Sequence, residues 1–352
     1  MSPKILIVRR DNIGDLICTM PLISSLRNVL PNARIDILVN SYSAAVLERN
    51  PDISNIYIYT KAKHKALNET TIGVYWRRLL LTLSLRSRRY DWVVLANASC
   101  IPRTLRWARQ IKATHTVGFV TEECNGDGAL TDTVRLKRTQ SSHEVEYLLH
   151  LLQPFMDRYT KNCEQGIPLA KVYPDPVQKL CIKESLPIEF VDQNKKTIGI
   201  NISARKPSQQ WSAAKFIALI NRLTTQYRCV LYWSPGANDA SGHPGDDEKA
   251  HQILQACASD SLVGIPTGTL DELIAALDIQ DIFITADGGA MHLGAALGKP
   301  VIALFGDSDP EQWRPWGVPQ RIIHPASRDV RDISPEMVFT QLTSLIEELG
   351  HA

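Results

Sequence analysis

Short runs of apolar, often β-branched residues alternate with longer helix-like stretches along the whole chain, and this alternation restricts the fold to parallel α/β architecture. In the first half the strand-like runs are Lys4–Arg10, Arg34–Asn40, Asn55–Tyr59, Asp91–Asn97 and His115–Phe119. Their apolar character suits strands covered by helices on both faces. Helix-like stretches fall between them at Leu16–Leu30, Ala44–Arg49, Ile72–Arg89 and Pro102–Ile111, and another at Ser142–Asp157, where Ser142 stands at a capping position. Residues 158–195 break the rhythm with Pro168, Pro174, Pro176 and Pro187. A second series follows, with strands at Thr197–Asn201, Cys229–Trp233, Asp281–Thr285 and Pro300–Phe305. Its helices are Ser212–Gln226, Asp247–Ala258, Leu270–Leu277 and Ala290–Leu297. The expected organisation is a first domain over 1–170, a linker over 171–195, a second domain over 196–330 and a last helical segment over 331–352. That segment has helical spacing at Met337, Val338, Leu342, Leu345, Ile346 and Leu349. The chain length of 352 residues fits two domains of ordinary size.

Several classes are set aside by composition. No run approaches the roughly 18–20 apolar residues of a membrane span. The first ten residues hold a short apolar run without a long h-region or cleavage site, so they read as a strand and not a leader. The seven cysteines are scattered and form no Cys-x-x-Cys pair, which suggests neither a zinc site nor a disulfide framework but reduced cytoplasmic thiols. The dinucleotide fingerprint and the P-loop are both missing. Net charge is +2 but unevenly spread: residues 1–150 carry 21 Lys and Arg against 13 Asp and Glu, and residues 151–352 carry 18 against 24. The first half is thus expected to meet something anionic.

Ligands of doubly wound sheets bind outside the carboxyl ends of the strands, and the motifs lie there. After the first strand comes Asn12-Ile13-Gly14-Asp15. Asp15 has two readings, a helix N-cap or a general base for an acceptor hydroxyl. Asp287-Gly288-Gly289-Ala290-Met291-His292 follows a strand and opens a helix, where exposed backbone N–H groups make a phosphate cradle and His292 lies one turn in. The plain alternative is a packing turn beside a satisfied histidine. Asn201 to Trp211 brings Ser203, Arg205, Lys206 and Gln209 after the second domain's first strand, either as a diphosphate site or as an exposed basic loop. Asp247 and Glu248 begin a helix, where acids complement the macrodipole or bind ribose hydroxyls. On a helical wheel Ile72, Trp76, Leu79, Leu80 and Leu83 share one face of the Ile72–Arg89 helix. Arg77, Arg78, Arg88 and Arg89 lie opposite, interleaved with Leu81 and Leu85. Leucines among arginines suit shallow contact with an anionic membrane, and a core helix with a solvated basic face is the alternative.

With these motifs in this order the chain resembles glycosyltransferase family 9, the lipopolysaccharide heptosyltransferases. The resemblance rests on Ile5-Leu6-Ile7-Val8-Arg9 with Asn12-Ile13-Gly14-Asp15, and on Asp287 to His292 with Gly298-Lys299-Pro300-Val301-Ile302-Ala303-Leu304-Phe305-Gly306. It implies a GT-B fold, two Rossmann-like doubly wound domains facing a cleft, with the last helix packing back on the first domain. It implies an inverting transfer of heptose from ADP-L-glycero-β-D-manno-heptose to a lipopolysaccharide inner-core acceptor, with Asp15 as base. The donor would meet Ser203, Arg205, Lys206, Gln209, Asp247, Glu248, Asp287, Gly288, Gly289 and His292, and of the family's hydroxyl pair at the phosphates only Ser203 keeps its hydroxyl, Ala204 being the other. The acceptor would meet Asn12, Gly14, Lys61, Lys63 and Arg103. One departure stands out: the family carries a lysine where this chain has Gln209, and Arg205 or Lys206 is expected to supply the charge. No metal or other cofactor is required by a direct displacement. The expected partners are the nucleotide sugar, an anionic glycolipid and the inner face of the cytoplasmic membrane, with no nucleic acid, and the expected location is cytoplasmic. Another nucleotide-sugar transferase, a nucleotide-sugar epimerase and a non-catalytic nucleotide-sugar-binding protein are the alternatives.

Overall fold

The computed structural model describes residues 2–59, 71–126, 128–135, 142–159, 166–191, 195–237 and 244–351. The chain divides into two compact units, Met1–Ala170 and Lys171–Ala352. Each is a six-stranded parallel sheet with helices.

Unit 1 contains β1 (Lys4–Val8), α1 (Ile13–Ile17), α2 (Met20–Val29), β2 (Arg34–Asn40), β3 (Asn55–Tyr59), α3 (Thr71–Ser87), β4 (Trp92–Leu95), α4 (Pro102–Ile111), β5 (His115–Val120), β6 (Asp132–Arg135), α5 (Glu144–Leu149) and α6 (Gln153–Tyr159). Its strand order is β3-β2-β1-β4-β5-β6, with every pair parallel. The order reverses between β1 and β4, and this is the switch point where such sheets bind ligands. β1, β2 and β4 are buried almost throughout, as their unbroken apolar sequences require. Leu16–Leu30 is not one helix. Thr19 starts a new helix with Pro21 in its first turn, a position where the missing N–H costs nothing.

Unit 2 contains α7 (Pro176–Ser185), β7 (Thr197–Asn201), α8 (Ala213–Leu223), β8 (Arg228–Trp233), α9 (Asp247–Ala256), β9 (Leu262–Pro266), α10 (Leu270–Leu277), β10 (Ile282–Ala286), α11 (Gly289–Ala296), β11 (Val301–Leu304), α12 (Pro310–Trp313), β12 (Gln320–Ile323) and α13 (Pro335–His351). The order β12-β11-β10-β7-β8-β9 is the topology of unit 1 repeated, with its switch point between β7 and β10. The stretch expected as a linker folds onto this unit. Asp175 caps α7 by accepting from Val177 and Gln178 N–H, Lys179 pairs with Asp278, and Val172 N–H donates to Ala296 at 3.1 Å. The terminal helix also counts with unit 2. Val338, Leu342 and Leu345 enter its core, and Arg222 lies 3.7 Å over the Phe339 ring.

Two expectations are corrected. Cys100 and Cys124 form a disulfide with their Cα atoms 6.0 Å apart. They follow the neighbouring strands β4 and β5, a proximity that comes from the sheet and not from sequence spacing. The faces of α3 are also reversed. Val74, Thr82 and Leu85 are buried, Leu85 within the unit 1 core, whereas Ile72, Trp76, Leu79, Leu80 and Leu83 are exposed. Leu81 and Leu85 pack inward, so they are not an outer membrane face. Leu85→Ala is expected to destabilise unit 1 by about 2–5 kcal/mol, the usual cost of a buried leucine truncation. Leu83→Ala should stay within about 0.5 kcal/mol of the parent, as surface changes do. Urea unfolding of the two variants distinguishes the faces.

Candidate functional site

The loop after β1 is organised around one buried guanidinium. Arg9 is 2 % exposed. It donates through Nη2 to Asp15 Oδ1 at 2.7 Å and to Glu144 Oε1 at 3.2 Å, and through Nη1 to the Ala96 carbonyl. Its Nε lies 3.3 Å from Asp11 Oδ2. Burial works against the charged guanidinium, but Asp15, Asp11 and Glu144 outweigh it, and the net shift of its pKa is upward. The Asp15 side chain keeps 19 % of its surface in solvent.

Asp15 is the third residue of α1 and not its N-cap. Asn12 is the N-cap, and its backbone N–H donates to Asp15 Oδ2 at 3.2 Å. Each carboxylate oxygen therefore accepts one bond and keeps a lone pair for another donor. Neighbouring loops close around this point. Asn97 Nδ2 donates to Asp11 Oδ2, and Asn40 Nδ2 donates to the carbonyls of Arg10 and Asp11 at 3.1 and 2.7 Å. The structure thus gathers Asn12, Gly14 and Asp15 at the switch point. Arg103 lies in the first turn of α4, and its carbonyl accepts from Arg10 at 3.3 Å. Lys61 and Lys63 lie outside the described residues. Sequence reasoning missed Arg10, whose guanidinium lies 4.6 Å over the Tyr59 ring and 5.9 Å from that of Trp107 while it donates to Tyr59 Oη at 2.8 Å. This aromatic seat fixes a cation one residue beyond Arg9.

In unit 2 the switch point is spanned by Gln209 and Asp287. Gln209 Nε2 donates to Asp287 Oδ2 at 2.8 Å, and Asp287 is 8 % exposed. Burial raises the Asp287 pKa, and hydrogen bonds from Ser308 and Gln209 and the charge of Lys206 only partly oppose it. Lys206 Nζ stands 3.4 Å from Ser308 Oγ, and Ser208 Oγ donates to Asp307 Oδ2 at 2.9 Å. Ser308 was also missed, because it follows β11, a strand away in the fold and about a hundred residues from Gln209. Gly306 allows this approach, since a Cβ there would meet the Ser208 carbonyl oxygen at 2.3 Å. Gly288 adopts φ 158° and ψ −170°, backbone that only glycine takes readily, and it precedes α11. The first turn of α11, from Gly289, presents N–H groups that have no intrahelical acceptor, the usual seat of a phosphate.

Other expected donor residues are placed in supporting roles. Ser203 Oγ donates to Asp246 Oδ2 at 2.6 Å and accepts from Ser234 N–H. Asp247 accepts from Trp233 Nε1 at 2.7 Å and from Gly236 N–H at 2.8 Å, bonds that hold its pKa below the ordinary value. It therefore ties down the loop after β8. Glu248 on α9 and Arg205 are exposed. His292 is 4 % exposed, with its ring centroid 6.1 Å from that of Trp313 in an edge-to-face contact. Among the described residues no group of three or more His, Cys, Asp or Glu side chains is arranged to hold a metal ion.

Comparison with known structures gives the class. The crystal structure of a glycosyl transferase family 9 protein from Veillonella parvula superposes with a TM-score of 0.81 over 99 % of this chain and 98 % of that one, at 20 % identity. The structure of E. coli ADP-heptose lps heptosyltransferase II gives 0.74 over 99 % of both chains, at 23 % identity. The fold is therefore of the GT-B type. Among curated proteins, the E. coli lipopolysaccharide heptosyltransferase 3 is 28 % identical over 306 residues, covering 86 % of this chain and 83 % of the relative. The model of glycosyltransferase family 9 (heptosyltransferase) matches residues 78–346, and the chain belongs to that family. It is a glycosyltransferase. The matched span starts after β1 and α1, so the setting of Asp15 is argued from its own geometry.

Two outcomes follow from these environments. Arg9→Met leaves Glu144 and Asp15 without their cation and is expected to destabilise unit 1 by about 3–5 kcal/mol, read as a lowered urea midpoint. Folded Asp287 binds its proton more tightly than the unfolded chain does, so its ionisation subtracts stability as pH rises from the ordinary 3.8 through the raised value. Asp287→Asn removes that slope. The thermal midpoint of the variant should gain on the parent across that window, and the difference between the two should stay constant above it.

Proposed function

We propose that the protein transfers a heptose from ADP-L-glycero-β-D-manno-heptose to an anionic lipopolysaccharide inner-core acceptor, with inversion at the anomeric carbon. The observation that carries the reading is the Asp15 carboxylate, fixed by Arg9 and the Asn12 N–H at a sheet switch point yet still reached by solvent. A base needs a fixed position and a free lone pair, and this carboxylate has both.

In the proposed step an acceptor hydroxyl gives its proton to Asp15. Its oxygen forms a bond to the anomeric carbon as the bond from that carbon to the diphosphate breaks. The departing ADP carries the electron pair. Backbone N–H groups of Gly289 and Ala290 at the α11 N-terminus, with Lys206, would take up the charge developing on the diphosphate. Asp287 would hold Gln209 and Ser308 in place beside it. The family and the names of the relatives support heptose as the sugar and ADP as the nucleotide. The basic balance of residues 1–150 supports an anionic acceptor. The same reading places the enzyme in the cytoplasm and requires no metal, so chelation should leave the rate unchanged.

Asp15→Asn keeps the size of the side chain and removes the base. Transfer is expected to fall about 10²–10⁴-fold, while ADP still raises the melting temperature as it does for the parent. Parent-like transfer by a folded variant would remove Asp15 from the base role. A thermal-shift screen of ADP-, UDP- and GDP-sugars tests the donor, and a larger shift with a UDP- or GDP-sugar would reassign it.

A further inference from the structure

Helix α3 carries two apolar stripes, and only one is used inside the protein. Val74, Thr82 and Leu85 face inward. On the other side Ile72, Tyr75, Trp76, Leu79, Leu80 and Leu83 are 46–82 % exposed. Their spacing of three and four residues places them on one continuous face. Six large apolar side chains on a single helix face make an unusual surface for a soluble protein, and such patches mark interaction sites.

The charges around the stripe limit what can cover it. Arg86 continues it, three residues beyond Leu83, and Arg77 borders it, and both are exposed. No acid occurs between Thr71 and Tyr90. Asp91, the next acid in the chain, accepts the Lys4 backbone N–H through Oδ2. An isologous pairing of two copies through this face would set arginines of one copy close to those of the other with no acid in the helix to offset them. A surface that is apolar within and anionic at its boundary matches both features.

We propose that the exposed face of α3 docks this protein on an anionic phospholipid bilayer, with the helix axis lying in the membrane plane. Over its 17 residues the helix is about 25 Å long. Among the described residues no helix is long and apolar enough to cross a membrane, so the contact is interfacial. Tyr75 and Trp76 would settle at the headgroup level, where amphipathic rings partition. Ile72, Leu79, Leu80 and Leu83 would enter the boundary of the acyl region, and Arg77 and Arg86 would meet lipid phosphates. This proposal does not rest on the identity of the donor or on Asp15, since its readout is binding and not transfer.

The test is co-sedimentation of the full-length protein with vesicles of phosphatidylglycerol and phosphatidylethanolamine, set against vesicles of phosphatidylcholine alone. The parent should bind the anionic vesicles preferentially and release as salt rises. The double variant W76S/L80S should bind them about tenfold more weakly or less, as should R77E/R86E, the loss expected when a few half-exposed contacts or charges are removed. Both should keep the parent's circular dichroism, because none of the four side chains is buried. Equal binding to neutral vesicles, no binding at all, or unchanged binding by both variants would overturn the proposal. So would a parent dimer in sedimentation velocity that W76S/L80S turns into monomer, because the face would then belong to a second copy.

Discussion

The end of the first sheet is built on a positive charge that has almost no access to water. Arg9 follows β1 and contacts the α1 carboxylate of Asp15, the α5 carboxylate of Glu144, Asp11 in its own loop and the carbonyl that follows β4. An isolated buried guanidinium would be strongly unfavourable, and so would a lone buried Glu144. Each requires the other, so three segments that are distant in sequence, residues 9–15, Ala96 and Glu144, are held to one geometry. A well-packed apolar cluster of the same volume would serve stability as well or better. What the ionic cluster adds is carboxylates with a set direction, and Asp15 and Asp11 are the members that still meet solvent.

Unit 2 reaches a comparable arrangement with different chemistry. Its switch point has the same strand order but is bridged by an amide and a carboxylate, Gln209 and Asp287, with Ser308 and Lys206 behind them. One unit therefore offers a fixed carboxylate, and the other a turn of N–H donors with a nearby cation. The repeated topology explains why both lie at strand ends. The loops after the first and fourth strands of each sheet are the ones that diverge to opposite faces and leave their polar groups uncovered.

Much of this was legible in the sequence because the central strands are apolar throughout. Arg34–Asn40 and Thr197–Asn201 fall where their residues alone place them. Asp132–Arg135, Leu262–Pro266 and Gln320–Ile323 were not legible. They lie at sheet edges, are half covered and have no continuous apolar run. The Gly14-Asp15 and Asp287-Gly288-Gly289 motifs stood out because glycines beside acids just after strands are local signals. Glu144 and Ser308 carry no local signal, since their meaning comes from partners brought to them by the sheet. In α3 the period was readable but the sign was not. Two apolar stripes satisfy the same spacing, and only the packing of Leu85 under α4 decides which faces inward.

Gln209 shows how a single local departure changes the physics of the second site. A lysine there, as the family resemblance expects, would set a full charge against Asp287 and favour its ionised form. The amide supplies a 2.8 Å bond of good geometry but no charge, and Lys206 acts from farther away through Ser308. Desolvation then wins and the Asp287 pKa moves up. The carboxyl is thus held firmly but neutralised weakly. A phosphate arriving at the α11 N-terminus would add a further negative charge nearby and push that pKa higher still. A lysine at 209 would hold the Asp287 carboxyl down against such a charge, and the amide does not.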